Sequence, residues 1–326
     1  MSASESTTEQ LSQNQPMHAL RAHERGGPEQ LVYEVAPRPP IGLGDALVRV
    51  HAASFTPTEM AWPPTWEDRA GRDRRPVIPA HEVAGTVVEL GFGTSGVEIG
   101  AAVYALTDWY RDGAAAEYIA VEVRDLAPMP KTLSFVEAAT VPLSGLTAWQ
   151  ALFDHGALSA GQTVLIHGAG GGVGVFAVQL AHTAGARVVA TGRAWSRQLV
   201  TDLGADEFID LDEQPFDSVV GDVDLGLDLI GGDILQRTWA VIRPGGALVS
   251  VVADPVTTRP ESHSGRSVYF VVTPDRAELV ELAQRIEAGA LRPIVGSVTQ
   301  LADGRAAFEE KRGGGVPGKI ALKVTD

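Results

Sequence analysis

The stretch TVLIHGAGGGVGVFAVQLAHTAGARVVATGR, residues 163–193, decides the fold of this chain. It opens with an apolar run rich in β-branched residues, Thr163 to Ile166, and a glycine-dense loop follows from Gly168 to Gly174. Val175 to Ala184 contains no proline or glycine and has enough apolar positions for a buried helix face. The next glycine can end that helix, because glycine adopts the left-handed conformation at little cost. Arg187 to Thr191 is a second β-like run, so the order predicts the βαβ unit that binds dinucleotides.

The glycine loop carries the physical argument for a nucleotide. A helix N-terminus has unpaired N–H groups and the positive end of the helix dipole, so a diphosphate binds there if the backbone can approach it. Gly168, Gly171 and Gly174 stand three apart, with Gly170 and Gly172 between them. The spacing is GxxGxxG and not strict GxGxxG, but the flanking strands and helix support the assignment. The alternative is a glycine-rich turn without a ligand, which would not need the ordering entropy of so many glycines.

The residues after the second strand indicate which dinucleotide binds. An NAD site usually places Asp or Glu at the end of that strand to bond the ribose hydroxyls. Here the strand ends Thr191-Gly192-Arg193, Arg197 follows, and the first acid is Asp202. Two arginines suit a ribose 2′-phosphate. A solvated helix start is the alternative, but an arginine there opposes the helix dipole unless an anion is near. The sequence therefore predicts NADPH.

Composition bounds the classes of function. The chain has 326 residues, which is enough length for two domains. Its net charge is −15 and it contains no cysteine. The negative charge disfavours nucleic acid and anionic membranes, and the absence of cysteine excludes disulfides and thiolate metal sites. No apolar run reaches the length of about eighteen residues that a membrane span needs. Residues 1–16 are polar and acidic, which predicts a disordered lead-in and not a secretory signal. We expect a cytoplasmic protein with a small-molecule substrate and no membrane or nucleic-acid partner.

The pattern along the chain predicts two domains. Residues 17–134 form a glycine-punctuated β region, and residues 135–272 alternate strands with helices. Residues 273–326 return to β-like segments, which we assign to the N-terminal region. Four further strands follow the βαβ unit and complete the six of a doubly wound fold: Glu207–Ile209, Val223–Leu229, Ala247–Val252 and Val268–Val272.

Local sequence signals predict two helix starts and the segments that shape the substrate pocket. Ser134 with Glu137, and Asp233 with Gln236, have the spacing of capping boxes. The charged, aromatic-bearing segment from Trp62 to Pro76 is predicted to be a mobile loop. With residues 107–113 it is expected to shape the substrate pocket.

Several ordered motifs resemble the medium-chain dehydrogenase/reductase superfamily, specifically its zinc-free quinone oxidoreductase branch. Besides the glycine-rich unit, these are GGPEQLVYEVAPRPPIGLGDALVRVHAASFTPTE, PAHEVAGTVVELG, AATVPLSGLTAWQAL and GALRPIVGSVTQLADGRAAFEEKRGGGVPGKIALKV. The resemblance covers almost everything after Met17. It implies an α/β protein with a groES-like β-rich catalytic domain, residues 17–134 and 273–326, and a doubly wound, parallel, six-stranded Rossmann domain, residues 135–272. It also implies hydride transfer in the cleft between them and a homodimer through the last Rossmann strand.

The same resemblance bears on metal and reaction type. Zinc-dependent relatives have a ligand cysteine where this chain has Thr56, and their His-Glu pair corresponds to His81 and Glu82. Without a thiolate we predict no metal, which nearly excludes a zinc alcohol dehydrogenase. The favoured reaction is hydride transfer from NADPH to an activated C=C bond or a quinone, in an enone, enoyl thioester or quinone substrate. The alternative is a catalytically idle, dimeric protein that binds NADPH in a structural role.

The resemblance also implies site residues, carried over position by position. The catalytic candidates are Thr56 and Glu59 at the former metal loop and Tyr110 in the segment expected to face the cleft, with solvent as the favoured proton source. The expected cofactor contacts are Thr147, Gly168, Ala169, Gly171, Gly172, Val173, Gly174, Gly192, Arg193, Arg197, Ile230, Gly231, Val252, Val271 and Lys319.

Overall fold

The structure, a computed structural model, describes residues 16–325. These residues form two compact units. The first comprises residues 16–142, 274–284 and 295–325, and the second comprises residues 143–273 and 285–294. Apart from Pro16, which begins the first strand, the predicted lead-in lies outside the described residues.

The secondary structure alternates as the sequence predicts. The strands are β1 (Pro16–Ala22), β2 (Leu31–Pro37), β3 (Asp45–Ser54), β4 (Glu82–Leu90), β5 (Ala102–Leu106), β6 (Tyr118–Glu122), β7 (Ala127–Pro128), β8 (Thr163–His167), β9 (Arg187–Gly192), β10 (Glu207–Asp210), β11 (Val223–Asp228), β12 (Ile242–Ser250), β13 (Arg266–Tyr269), β14 (Val295–Gln300) and β15 (Lys319–Lys323). The α-helices are α1 (Pro63–Trp66), α2 (Phe135–Ala138), α3 (Pro142–Trp149), α4 (Gly172–Thr183), α5 (Arg197–Asp202), α6 (Gly232–Thr238), α7 (Arg276–Glu287) and α8 (Gly304–Gly313). Over residues 16–325, no helix combines the length and the apolar character needed to cross a membrane.

The first unit is built on a seven-stranded sheet. Its order is β14-β15-β3-β4-β5-β7, and β6 pairs with β3. The C-terminal strand β15 runs antiparallel to β3, with Leu322 opposite Ala53. Phe55 at the end of β3 stacks on Phe308 of α8 with ring centroids 3.7 Å apart, and both rings are buried. The chain's last segment therefore joins the N-terminal β region, as the sequence predicts.

The second unit is built on a parallel six-stranded sheet in the order β10-β9-β8-β11-β12-β13. The chain enters at β8, runs outward through β9 and β10, and then crosses back to β11 on the other side. This is the doubly wound dinucleotide fold, with its switch of direction between β8 and β11. The predicted number of strands and the α/β fold class are confirmed.

Two of the predicted helix signals have different outcomes. Ser134 and Glu137 form the capping box at the start of α2, as predicted. The predicted box at Asp233 is wrong, because α6 begins at Gly232 and Gly231 is its N-cap. The carboxylate of Asp228 accepts the N–H of Gly231 at 2.9 Å, while Asp233 pairs instead with Arg237.

The unit boundaries differ from the expected domain boundaries at two places. Helix α2 contacts β3, β4 and β15 and belongs to the first unit, and Phe135 stacks on His51 of β3 with ring centroids 4.1 Å apart. Residues 285–294 belong to the second unit. There the side chain of Gln179 in α4 exchanges two hydrogen bonds with the backbone of Arg292.

Candidate functional site

The glycine loop leaves a helix N-terminus open to an anion. Strand β8 ends at His167, and Gly171 is the N-cap of α4. No side chain within residues 16–325 caps this helix, so its first N–H groups are available to a ligand. The loop is tied to β9, because the carbonyl oxygen of Thr191 accepts the N–H groups of Gly168 and Ala169, both at 3.1 Å.

Two of the predicted glycines differ in what a side chain would meet at their positions. A Cβ on Gly174 would lie 2.4 Å from the carbonyl oxygen of Gly168 and 2.6 Å from backbone atoms of Ala169, so this glycine lets α4 pack directly on the loop. A Cβ on Gly171 would contact only the Gly168 oxygen, at 3.3 Å. Gly171 also has φ of −82°, which any residue adopts. The protein itself therefore has room for a side chain at position 171.

Apolar side chains follow three neighbouring strands of the parallel sheet. Ile230, Val252 and Val271 follow β11, β12 and β13, and they are 43%, 47% and 60% exposed. A Cβ on Gly168 would lie 3.4 Å from Ile230, and one on Gly231 would lie 2.8 Å from Val252. The structure thus brings these predicted contacts together along the carboxyl edge of the sheet, where ligands bind in such folds.

The two predicted phosphate-binding arginines have different surroundings. Arg193 follows β9, its side chain is 70% exposed, and the nearest paired carboxylate oxygen, of Asp212, is 3.8 Å away. Arg197 is held more firmly, since it pairs with Glu213 at 3.1 Å and lies over the ring of Phe208. An arginine at this helix start was expected to need an external anion. For Arg197 the chain supplies carboxylates of its own, so Arg193 is the better candidate.

Helix α3 carries a residue that the sequence reasoning missed. The predicted contact Thr147 is buried, and its hydroxyl donates to the carbonyl of Leu143 at 2.6 Å. One turn earlier, the hydroxyl oxygen of Ser144 is buried without a hydrogen-bond partner among the described residues. A buried unsatisfied hydroxyl is destabilising unless a ligand or water pairs with it. Its spacing of three residues before Thr147 is the signal that could have identified it.

Four features together fit a dinucleotide. They are the uncapped N-terminus of α4, the glycine loop at residues 168–174, the exposed apolar side chains at the carboxyl edge of the sheet and the unpaired hydroxyl of Ser144. All of them lie in the second unit. When bound, such a cofactor would be held at its diphosphate by the backbone of residues 168–174. Arg193 follows β9, which lies next to β8 in the sheet and comes directly after it in the chain. At this position Arg193 would lie at the ribose end of the cofactor.

In the first unit, Glu59 is a buried carboxyl group that holds two backbone segments. It is 1% exposed, and its oxygens accept the N–H groups of Thr56 at 3.0 Å and Ala80 at 2.6 Å. Burial raises the pKa of Glu59 to about 7, against the opposing effect of these two hydrogen bonds. Ala80 has φ of 71°, an uncommon conformation for alanine, and the Glu59 bond helps to hold it there.

A buried ion pair lies close to Glu59. Lys319 of β15 pairs with Glu82 of β4, and its ammonium also donates to the carbonyl of Phe55 at 2.6 Å. Both charged side chains are buried. Lys319 was predicted to contact the cofactor, but the structure directs its ammonium to these two groups.

The former metal loop does not fit zinc. His81 is buried next to Trp109, and its Nδ1 lies 3.2 Å from the Thr107 hydroxyl. Burial lowers the pKa of His81 to about 3, so the imidazole is neutral. Glu82 is neutralised by Lys319, and Thr56 offers no thiolate. Across residues 16–325, no three His, Asp or Glu side chains are grouped so that they could hold a metal ion.

The segment between Trp62 and Pro76 is more firmly held than a mobile loop. At its base, Trp66 is buried and its indole N–H donates to the carbonyl of Met60 at 2.8 Å. Farther out, Arg69 forms a bidentate pair with Asp108 and lies over the ring of the predicted catalytic residue Tyr110. The segment is held at further points by the ion pairs Arg25–Glu67, Arg74–Asp112, Arg75–Glu24 and Arg75–Asp73.

We predict that Gly171→Ala and Gly174→Ala separate binding from folding. Gly171→Ala should keep the stability of the protein but weaken dinucleotide binding at least about tenfold, because the new methyl group holds the diphosphate off the helix N–H groups. Gly174→Ala should in addition lower the free energy of unfolding by about 1–3 kcal/mol through overpacking. Urea unfolding and fluorescence titration measure the two effects. Normal binding by both variants would show that the diphosphate lies elsewhere.

Comparison with known proteins agrees with this geometry. The family Alcohol dehydrogenase GroES-like domain matches residues 42–131, and the family Zinc-binding dehydrogenase matches residues 203–322. The chain is 31% identical to the probable zinc-binding oxidoreductase, mitochondrial, of Arthroderma benhamiae, over 88% of this chain and 91% of that protein. It is 33% identical to the NADPH-dependent alkenal/one oxidoreductase, chloroplastic, of Arabidopsis thaliana, over 79% of this chain and 66% of that protein.

A solved structure adds the fold of the whole chain. The quinone oxidoreductase from Coxiella burnetii superposes with a TM-score of 0.89 at 28% identity, covering 95% of this chain and all of that one. The fold with a parallel six-stranded sheet and a GroES-like sheet is thus shared with an oxidoreductase over 95% of the chain. The chain belongs to the medium-chain dehydrogenase/reductase superfamily, in its quinone oxidoreductase branch, and is a nicotinamide-dependent oxidoreductase.

Proposed function

We propose that the protein is a zinc-free, NADPH-dependent reductase of activated C=C bonds or quinones in small molecules. One observation carries this proposal. At the positions of the zinc ligands, Thr56 offers no thiolate and Glu82 is already paired with Lys319, which leaves His81 without the other ligands of a tetrahedral site. A reaction here would therefore proceed without a metal ion to polarise a simple carbonyl or alcohol oxygen. A conjugated acceptor already has an electron-poor carbon and needs less polarisation.

The chain's own residues have limited means to move a proton. The bound cofactor supplies a hydride, and the reduced acceptor then needs one proton. Glu59 has a pKa near neutrality, but both of its oxygens are buried and occupied by backbone N–H groups. Tyr110 is half-buried beneath Arg69, and the hydroxyl of Thr56 is the other candidate. We therefore propose water as the proton source, with Tyr110 or Thr56 as its hydrogen-bond partner.

The direct test follows NADPH oxidation with a panel of quinones, enones and enoyl thioesters, before and after exhaustive chelation of zinc. We expect turnover of at least one acceptor class and no loss on chelation. With an enone or enoyl thioester and NADPH deuterated at its reactive carbon, the label should appear at the acceptor's β-carbon, and a solvent proton at the α-carbon. Loss on chelation that added zinc restores would refute the zinc-free mechanism. Tight NADPH binding without turnover of any acceptor would favour the idle binding protein.

For cofactor choice, we predict that Arg193→Ala weakens NADPH binding roughly ten- to hundredfold and leaves NADH binding unchanged. The reason is the loss of a charge-assisted pair with the 2′-phosphate, worth about 1.5–3 kcal/mol. Arg197→Ala is the matched control, because Glu213 and Phe208 already engage that side chain. It should have the smaller effect. Fluorescence titrations with both cofactors measure this, and an equal loss of both would mean that Arg193 does not recognise the phosphate.

We also propose a homodimer through β13. This strand lies at one edge of the six-stranded sheet, and no strand within residues 16–325 pairs with its outer side. The strand ends at Tyr269 and not at the predicted Val272. Tyr269 is 47% exposed, Val271 just after the strand is 60% exposed, and an open apolar edge invites pairing with a second copy. Sedimentation analysis should therefore show a dimer. A monomer at micromolar concentration would contradict the proposal.

The cytoplasmic location stays a prediction. The relatives named above are mitochondrial in a fungus and chloroplastic in a plant, so the family is not confined to one compartment. Fractionation of cells that produce the protein tests it.

A further inference from the structure

One buried polar group beneath the nucleotide loop has no part in the function described so far. His167 ends β8 directly before the loop and is completely buried. Its Nδ1 lies 2.8 Å from the hydroxyl of Thr191, and its Nε2 lies 3.0 Å from the hydroxyl of Thr238. An imidazole buried at this depth is destabilising unless both nitrogens are paired. A hydrophobic residue would fill the space without that requirement.

The hydrogen bonds around the ring determine which nitrogen carries the proton. The hydroxyl of Thr238 donates its only proton to the carbonyl of Ile234, at 2.6 Å. Its oxygen can then only accept from His167, so Nε2 carries the hydrogen. Burial lowers the pKa of His167 to about 3, so the ring is neutral and Nδ1 is an acceptor. The hydroxyl of Thr191 must therefore donate to Nδ1.

This chain of bonds ends on the residue that holds the loop. Thr191 accepts the N–H groups of Gly168 and Ala169 on its carbonyl oxygen, and Gly192 and Arg193 follow it. At the other end, Thr238 lies in α6, which begins directly after Ile230 and Gly231. Three elements of the second unit, β8, β9 and α6, thus meet on one imidazole ring next to the nucleotide loop.

We infer that His167, as its Nε2–H tautomer, is a positioning residue for the dinucleotide. Thr238 sets the tautomer, the tautomer sets the direction of the Thr191 hydroxyl bond, and Thr191 fixes the glycine loop against β9. His167 touches no cofactor atom and acts through Thr191. The inference rests on nicotinamide-dinucleotide binding and not on the choice of NADPH. We call the hydrogen-bonded chain Thr238–His167–Thr191 the relay. Binding is measured with both NADH and NADPH, so that an error in the predicted preference for NADPH is distinguishable from an error in the relay.

The test is a double-mutant cycle of Thr191→Val and Thr238→Val, read as the dissociation constants of both cofactors. Each single change should weaken binding about fivefold, the size expected for one hydrogen bond. Because both act through one ring, the double variant should also lose only about fivefold. In a His167→Asn background the two changes should have no further effect. An additive loss of about twenty-five-fold would refute the relay.

A purely structural role gives a different pattern. If His167 is only a satisfied core residue, the valine variants should lower the melting temperature and leave both dissociation constants unchanged, which would overturn the inference. The conservative variants Thr191→Ser and Thr238→Ser keep the hydroxyls and should retain wild-type affinity. If the valine variants do not fold, the serine variants are measured in their place. Loss of affinity in both serine variants would contradict the relay.

The tautomer can also be measured directly in the unmodified protein. Nitrogen-15 NMR of the imidazole should show a protonated Nε2 and a bare Nδ1 for His167, and this signature should persist to about pH 4 because the ring resists protonation. In Thr238→Val the protonated Nδ1 form should appear. Finding Nδ1 protonated in the unmodified protein would exclude the proposed direction of the bonds.

Discussion

The nucleotide-binding unit depends on one backbone oxygen. The carbonyl of Thr191 accepts the N–H groups of Gly168 and Ala169, and these two bonds tie the loop after β8 to the end of β9. Helix α4 can then pack on the loop only because Gly174 has no side chain in the way. The helix N-terminus, with its uncapped N–H groups, is placed at the carboxyl edge of the sheet by these two contacts. The shape of the loop and the position of the anion site therefore follow from the same few backbone atoms.

Much of this arrangement could be predicted from the sequence, because its signals are local. The β-branched runs, the glycines three apart and the helix-ending Gly185 all lie within one continuous stretch, and Gly185 has the positive φ of 78° that a helix end requires. The capping box at Ser134 is likewise contained in four residues. The false box at Asp233 failed because the competing carboxylate of Asp228 reaches the turn from the strand before it. That competition is not visible in the spacing of Asp233 and Gln236.

Several polar groups were harder to predict because distant partners set their surroundings. Glu59 looks like a candidate acid in the sequence, but its pKa depends on burial, on the N–H of Ala80 and on Lys319 from a distant part of the chain. The pairing of Arg197 with Glu213 depends on β10 lying next to β9. The spacing of Ser144 and Thr147 is visible in the sequence, but the unpaired state of the Ser144 hydroxyl and the two-sided pairing of His167 depend on the fold. Residue type indicated possible chemistry at these positions, while burial and partners decided it.

The arginines of the segment between Trp62 and Pro76 have a consequence for the environment of the protein. Arg69 and Arg75, and Arg25 that pairs with Glu67 of the segment, make their pairs at the surface, with about a third to two thirds of each side chain exposed. Dissolved ions screen such pairs, whereas they have little effect on the buried indole of Trp66 at the base of the segment. Rising ionic strength therefore loosens the outer part of the segment and leaves its base in place. The conformation of this segment of the first unit therefore depends on the salt concentration of the solution.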